Sequence, residues 1–325
     1  MSLYPLTFHP IFKERVWGGR GLEKLYHKQL PAGVPIGESW EISDRPGDIS
    51  VIANGPLAGK DLHWLVQNHW KDLAGSSARS VSRFPLLIKI LDARQKLSLQ
   101  VHPPAEKAAE LGGEPKTEMW FITDAAPGAE LYVGLKKGVN RQLFERKITS
   151  GTVAECFHRV PVRSGDAMFL PSGRVHAIGS GLVIFEIQQN SDTTYRVYDW
   201  GRVGLNGEAR ELHIPQSLAS IDFKDFEPEL AAANFQEDSA GRVRHLVKDS
   251  LFAVELRQLE PKAQQVLDLN TLQILGVVTG KLRLETKGYQ LLLVPGQFCL
   301  IPAALETVSL TADSLVAFLR INPFC

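Results

Sequence analysis

The chain is poor in cysteine, and the three it has, Cys156, Cys299 and Cys325, are widely scattered and odd in number. That pattern argues against a disulfide framework and against a CxxC-type zinc site. Neither sign of charge is in excess: 36 basic residues balance 36 acidic ones among 325. Nothing in that balance calls for a nucleic-acid or membrane-surface partner, although a local basic pocket stays open. No apolar run approaches the roughly 20 residues that cross a bilayer. The opening MSLYPLTFHPIFKERVWGG has no basic-then-apolar leader pattern. The expectation is a soluble, cytoplasmic protein that meets neither nucleic acid nor membrane.

Short β-type runs punctuated by Gly and Pro are plentiful. PLLIKIL, LSLQVH, EMWFIT, AMFLP, LVIFEIQ, FCLIP and AFLRI are separated by turn signals such as RSGD, GSGL and TKGY. With 44% apolar residues, such runs predict sandwiches or barrels with real cores. Helices are few. DLHWLVQNHWKDLAG has Leu62, Leu65, Val66, Trp70 and Leu73 at helical spacing. PAEKAAELGG and HIPQSLASIDF are shorter candidates. The polar, weakly patterned stretch 224–244 reads as a linker between a domain over 1–223 and another over 245–325.

Two segments echo each other. Residues 165–176 read GDAMFLPSGRVH and residues 296–307 read GQFCLIPAALET. Both run Gly, five residues, Pro, and then on to a last position, which is His176 in the first copy and Thr307 in the second. The spacing resembles the second motif of the cupin β-barrels, where a proline turn delivers a metal-binding histidine. The fold expected is therefore mainly β, two cupin-type jelly-roll barrels with a few short helices, the second without metal.

In KLSLQVHPP, Leu97, Leu99 and Val101 alternate with Ser98, Gln100 and His102, so an extended chain puts the polar trio on one face. In KTEMWFI, Lys116 and Glu118 share a face. Two histidines, His102 and His176, with Glu118 make a reasonable zinc or iron set. The same residues also suit a solvated strand face, and their spacing alone does not choose.

KLSLQVHP, KTEMWFI, GRVHAIG and EIQQNSDTTYRVYDWGR together resemble the signature segments of the type I phosphomannose isomerases, in their short bacterial form; VWGG and GESWEIS are similar too. The resemblance implies a zinc-dependent cupin enzyme that interconverts mannose 6-phosphate and fructose 6-phosphate through a cis-enediolate. It implies one zinc per chain on Gln100, His102, Glu118 and His176, and active-site roles for Arg196, Lys116 and Lys89. Ser98, facing with Gln100 and His102, is a candidate contact for the phosphate of the sugar-phosphate partner. The sequence departs from many members in reading Lys-Thr-Glu for Lys-Pro-Glu. It also lacks the long helical insertion of larger members, which leaves open how the substrate is enclosed.

The chemistry fits. A divalent ion on two neutral histidines, a neutral glutamine and one carboxylate leaves a local charge of about +1, suited to an oxyanion. Lys116 beside such an ion is expected to assist proton transfer. Arg196 cannot usefully titrate and reads as a clamp for phosphate or enediolate oxygen, with Asp192 or Asp199 orienting it. Trp17-Gly18-Gly19 reads as a packed turn rather than as a sugar platform, and Glu38 and Trp40 as structural residues, with pocket lining as the alternative. Two other functions share the ligand set: an Fe(II) cupin dioxygenase and a non-catalytic sugar-phosphate-binding cupin. Oxygen dependence separates the first, and unchanged ligand the second.

Overall fold

A computed structural model describes residues 2–76 and 78–323; the third thiol, Cys325, lies outside that set. The chain is mainly β with few helices. Eleven strands build the first half: β1 (Ile11–Gly19), β2 (Ile36–Ile42), β3 (Leu86–Ala93), β4 (Leu99–Val101), β5 (Glu118–Ala125), β6 (Glu130–Leu135), β7 (Phe157–Pro161), β8 (Ala167–Leu170), β9 (His176–Ile178), β10 (Leu182–Gln189) and β11 (Tyr195–Tyr198). Ten more follow: β12 (Gln236–Asp238), β13 (Gly241–Lys248), β14 (Ala253–Leu259), β15 (Gln264–Val266), β16 (Gln273–Thr279), β17 (Leu282–Thr286), β18 (Tyr289–Leu293), β19 (Phe298–Ile301), β20 (Ser309–Ala312) and β21 (Val316–Asn322). The helices are α1 (Gly21–Tyr26), α2 (Leu62–Ala74), α3 (Ala105–Ala108), α4 (Arg141–Thr149) and α5 (Ile214–Ser220). Among the described residues no helix is long and apolar enough to cross a membrane.

The sheets are open and come in pairs. In the first pair the orders are β1-β2-β3-β10-β5-β8 and β11-β4-β9-β6-β7; in the second they are β12-β13-β14-β21-β16-β19 and β15-β20-β17-β18. Adding eleven to each label from β3 to β10 turns the first pair's shared strands into the second pair's, neighbour for neighbour. The GDAMFLP and GQFCLIP segments fall on β8 and β19, each the last strand of its six-stranded sheet. The sequence echo is thus one point on an eight-strand repeat.

Compact units are discontinuous in sequence. One comprises 12–39 and 89–230, the other 1–11, 40–88 and 231–325. The stretch 224–244 spans the passage at 230/231 and contains β12 and the start of β13.

In the first unit, Trp17, Leu91, Trp120, Ile122 and Leu182 from the six-stranded sheet pack with Leu131, Val133 and Ile178 from the other. The second face of that other sheet is buried too: Leu99, Val101, Ala177 and Val197 pack under Phe144 of α4 and Leu218 of α5. This answers the alternation in KLSLQVHPP. Leu99 and Val101 lie under helices, while Leu97 joins the core between the sheets and Ser98 and Gln100 line a cavity there. α4 escaped the sequence reading because its only buried side chain is Phe144, although Asn140 caps it by accepting from Leu143 N at 2.9 Å.

In the second unit the interior between the paired sheets is apolar. Leu275, Val277, Ile301 and Phe318 face Leu282, Leu284, Leu310 and Ala312. Glu118 pairs with Leu170 at the end of β8, and Gln273 pairs with Ile301 at the end of β19. Register therefore puts a glutamine where the first copy has its carboxylate. Gln273 is satisfied, donating to the Asp268 carbonyl and accepting from Arg320 Nε at 2.8 Å. Thr307 is exposed.

Gly179 follows β9 at a point of close backbone approach. A Cβ there would collide with the Glu130 carbonyl oxygen, which accepts the Gly179 N–H at 3.0 Å. Gly179→Ala is expected to cost about 1–3 kcal/mol in urea unfolding, as backbone shifts forced by added carbon do.

Candidate metal centre and active site

The site is assembled by register. Gln100 in the middle of β4 lies opposite His176 of β9 and opposite Arg196 of β11. Directly opposed residues on neighbouring strands share a face, so these three side chains form a row on the inward side of one sheet. Glu118 opens β5 in the facing sheet, across from Gln188 of β10. His102 follows β4 immediately.

His102, Glu118 and His176 are the one group of three or more His, Cys, Asp or Glu residues, among those described, whose ligand atoms lie within 4.8 Å of one another. All three are at most 1% exposed. His102 Nε2 is 3.5 Å from Glu118 Oε2, His176 Nε2 is 3.4 Å from Glu118 Oε1, and Gln100 Nε2 is 3.3 Å from His176 Nε2. Vertices of a tetrahedron with ~2.1 Å bonds are ~3.4 Å apart. His102 Nε2 and Glu118 Oε1 are buried without a hydrogen-bond partner, a costly condition unless something binds there. The other ring nitrogens are engaged: His102 Nδ1–H donates to the Thr193 carbonyl at 2.8 Å, and His176 Nδ1–H to the Arg174 carbonyl at 2.9 Å. A carbonyl can only accept, so each Nε2 carries a lone pair aimed inward, the tautomer a metal requires. Gln100 Oε1 accepts from Ser98 Oγ at 3.3 Å, and a flip of the amide would turn that carbonyl toward His176 instead.

Charges are arranged accordingly. Burial, together with the Lys116 ammonium, pushes His102 down to about 3, and burial also lowers His176. Burial works against the Glu118 carboxylate, but Lys116 and both imidazoles outweigh it and hold the group well below its ordinary value. Lys116 Nζ is 2.8 Å from Glu118 Oε2. Burial opposes its charge, yet Glu118 and Glu186 raise it above the usual lysine value. These two carboxylates favour the ammonium form of Lys116.

A cavity of about 530 Å³ opens beside this cluster. Gln100 and Lys116 line its inner end, with Ser98, Lys89 and Glu186 on the walls. Lys89 Nζ is 3.3 Å from Glu186 Oε1, whose other oxygen accepts from Trp120 Nε1 at 2.9 Å. The Trp120 ring stands edge-on to His176 at 5.4 Å. Glu186 was not singled out in the sequence. Its place opposite Trp120 across β10 and β5 is a matter of long-range pairing.

All eight residues marked in the sequence thus lie in one unit, and Lys89, Ser98, Gln100, Lys116 and Arg196 line the cavity itself. Two lesser expectations need correction. Trp17 is not in a turn but in β1, buried, and on the cavity wall. Glu38 combines both of its readings, paired with Arg15 at 2.9 Å and lining the same wall. Arg196 is oriented by neither flanking aspartate: its Nη1 donates to the Glu211 carbonyl at 2.8 Å, while Asp199 takes Arg202 at 2.8 Å and Arg210 at 2.5 Å.

Among the described residues the group of His102, Glu118 and His176 is the one cluster that could hold a metal ion. Metal analysis of the purified protein is expected to give a ratio near one, because the second sandwich offers Gln273 and exposed Thr307 instead.

Comparison with known proteins points the same way. Residues 6–119 match the family described as phosphomannose isomerase type I, catalytic domain. Over 326 residues the chain is 35% identical to mannose-6-phosphate isomerase ManA of Bacillus subtilis, covering 98% of this chain and 100% of that one. It is 42% identical over 215 residues to mannose-6-phosphate isomerase of Streptococcus mutans, covering 66% of each. The crystal structure of the mannose 6-phosphate isomerase from Bacillus subtilis superposes with a TM-score of 0.90 at 29% identity, covering 98% of this chain and 100% of that one.

Proposed function

The chain belongs to the type I phosphomannose isomerases, and on that premise we propose that it interconverts mannose 6-phosphate and fructose 6-phosphate in the cytoplasm, using one zinc ion held by Gln100, His102, Glu118 and His176. The paired open sheets are read as cupin sandwiches, the first catalytic and the second a metal-free repeat. One observation supports the metal assignment: the ligand atoms of two histidines and a glutamate, all buried, converge within 4.8 Å of one another.

Isomerisation moves a proton between C2 and C1 through a cis-enediolate, and charge develops on the two sugar oxygens. The bound ion supplies positive charge that offsets this developing charge. The protein's own groups do the rest. Lys116, an ammonium anchored on Glu118, stands at the cavity's inner end and donates to a sugar oxygen as the charge develops. Arg196 shares the row with Gln100 and holds the anionic part of the substrate with N–H groups that keep their charge at any working pH. Lys89 and Ser98 bind substrate from the walls. Trp17 and Trp120 supply apolar surface that limits water around the reacting carbons.

The test is conversion of mannose 6-phosphate to fructose 6-phosphate without oxygen, with zinc measured on the same sample. Conversion under those conditions is expected. A requirement for oxygen would assign the site to a dioxygenase instead, and binding without conversion would leave a sugar-phosphate-binding protein.

A further inference from the structure

The cavity's mouth is formed by a stretch that neither the ligand set nor the walls explain. Trp200 and Gly201 both have positive φ, 60° and 67°, and start a hairpin closed by a bridge between Val203 and Ala209. Its glycines fall at 201, 204 and 207. Gly204, Leu205, Asn206 and Arg210 line the cavity, with Leu205 56% exposed at its entrance.

Charge is unevenly matched around this space. Lys89 faces Glu186, Lys116 faces Glu118, and Arg15 is paired with Glu38 through two nitrogens. At the hairpin end one carboxylate, Asp199, serves both Arg202 and Arg210. Arg196, the third guanidinium there, has Nε buried without a hydrogen-bond partner. Glu211 turns an exposed carboxylate toward His213, 3.8 Å away. Arg196 and Arg210 both line the cavity, so two guanidinium groups converge on a space that suits a phosphate monoester, which carries about −1.5 to −2 at neutral pH. Arg210 is also held in place. Its Nε and Nη2 donate to Asp199 at 2.6 and 2.5 Å, which leaves Nη1 for a ligand. Its stem crosses Gly204 so closely that a Cβ there would sit 3.2 Å from Arg210 Cγ.

Building on the isomerase reading, we infer that Arg210, carried by the 201–209 hairpin, binds the substrate's phosphate together with Arg196 and sets the preference for the phosphorylated sugar over the free sugar. The hairpin thereby takes over substrate enclosure in a chain without a helical insertion.

The experiment compares wild type, Arg210→Gln and Arg210→Lys. Hydrogen bonds to a charged group that contribute about 1.5–3 kcal/mol convert to roughly 10- to 100-fold in affinity. Arg210→Gln is expected to raise KM for mannose 6-phosphate by that factor with kcat nearly unchanged. It should weaken binding of inorganic phosphate, measured by calorimetry, to a similar extent, and leave the slow turnover of unphosphorylated mannose as in wild type. Arg210→Lys should recover part of the phosphate binding, because charge returns without the planar fork. The inference is overturned if KM and phosphate affinity stay at wild-type values. It is equally overturned if kcat falls alike for both sugars, which would make Arg210 a prop for the hairpin. Wild type failing to convert mannose 6-phosphate would sink the isomerase reading, while the calorimetric comparison would still decide whether Arg210 binds phosphate.

Discussion

His176→Ala is expected to yield a folded protein that holds little metal and no measurable isomerase activity. The side chain is one of three strong ligands in the proposed set, and even partners outside a ligand set cost 10–100-fold in metal affinity when removed, so the loss here should exceed ~100-fold. Metal content after gel filtration checks it, with circular dichroism to confirm the fold; full occupancy in the variant would remove His176 from the set. The same measurement has a pH arm. A histidine pushed down by burial stays neutral below the ordinary value of 6.5, and His102 is pushed to about 3. Protons therefore compete poorly for these nitrogens, and wild type should keep its metal at pH 5. The sign for stability runs the other way. The unfolded chain takes up protons at these histidines as pH falls below 6.5 and the folded chain does not, so the metal-free protein should lose stability on acidification.

Lys116→Met should lower turnover by roughly 10²–10⁴, the range for a lost proton-transfer partner. Methionine keeps the length of the side chain while removing the ammonium that sits 2.8 Å from Glu118. Arg196→Lys should also be poor despite its charge. An ammonium cannot present Nε to the cavity while another nitrogen stays on the Glu211 carbonyl, as the guanidinium does. Steady-state kinetics combined with deuterium wash-in at C2 of mannose 6-phosphate separates the two. Wild-type turnover and exchange in Lys116→Met would reduce Lys116 to a positioning charge and move the search for the proton-transfer group to Lys89.

The residues around the metal were readable in the sequence because local rules place them. Strand alternation put Gln100 and His102 on one side and Lys116 with Glu118 on another, and a Gly-Pro turn announced His176. What could not be read depends on pairing over distance. Glu186 belongs to the site only because β10 lies against β5. Arg210 reaches the cavity only because a glycine hairpin folds back, fourteen positions after Arg196. Asp199 looked like the orienter of its neighbour Arg196, yet the hairpin gives it Arg202 and Arg210. α4 was hidden by its polarity, since one buried phenylalanine is too little to set a helical period. The units were hidden too, because a discontinuous one draws on segments that sequence order keeps apart.

The duplicated sandwich has a consequence for how the protein responds to its surroundings. One copy encloses the proposed metal site, so on that reading its folding free energy contains a binding contribution of RT ln(1 + [L]/Kd) and follows the free concentration of the ion. The other copy encloses leucine, valine and phenylalanine, with Gln273 bonded to its own neighbours. Its folding free energy follows the hydration of apolar surface, and so temperature and denaturant. Chelation and acid act on the first copy, heat and urea on both. A single midpoint of unfolding is then not a property of the chain but of the solution in which it was measured.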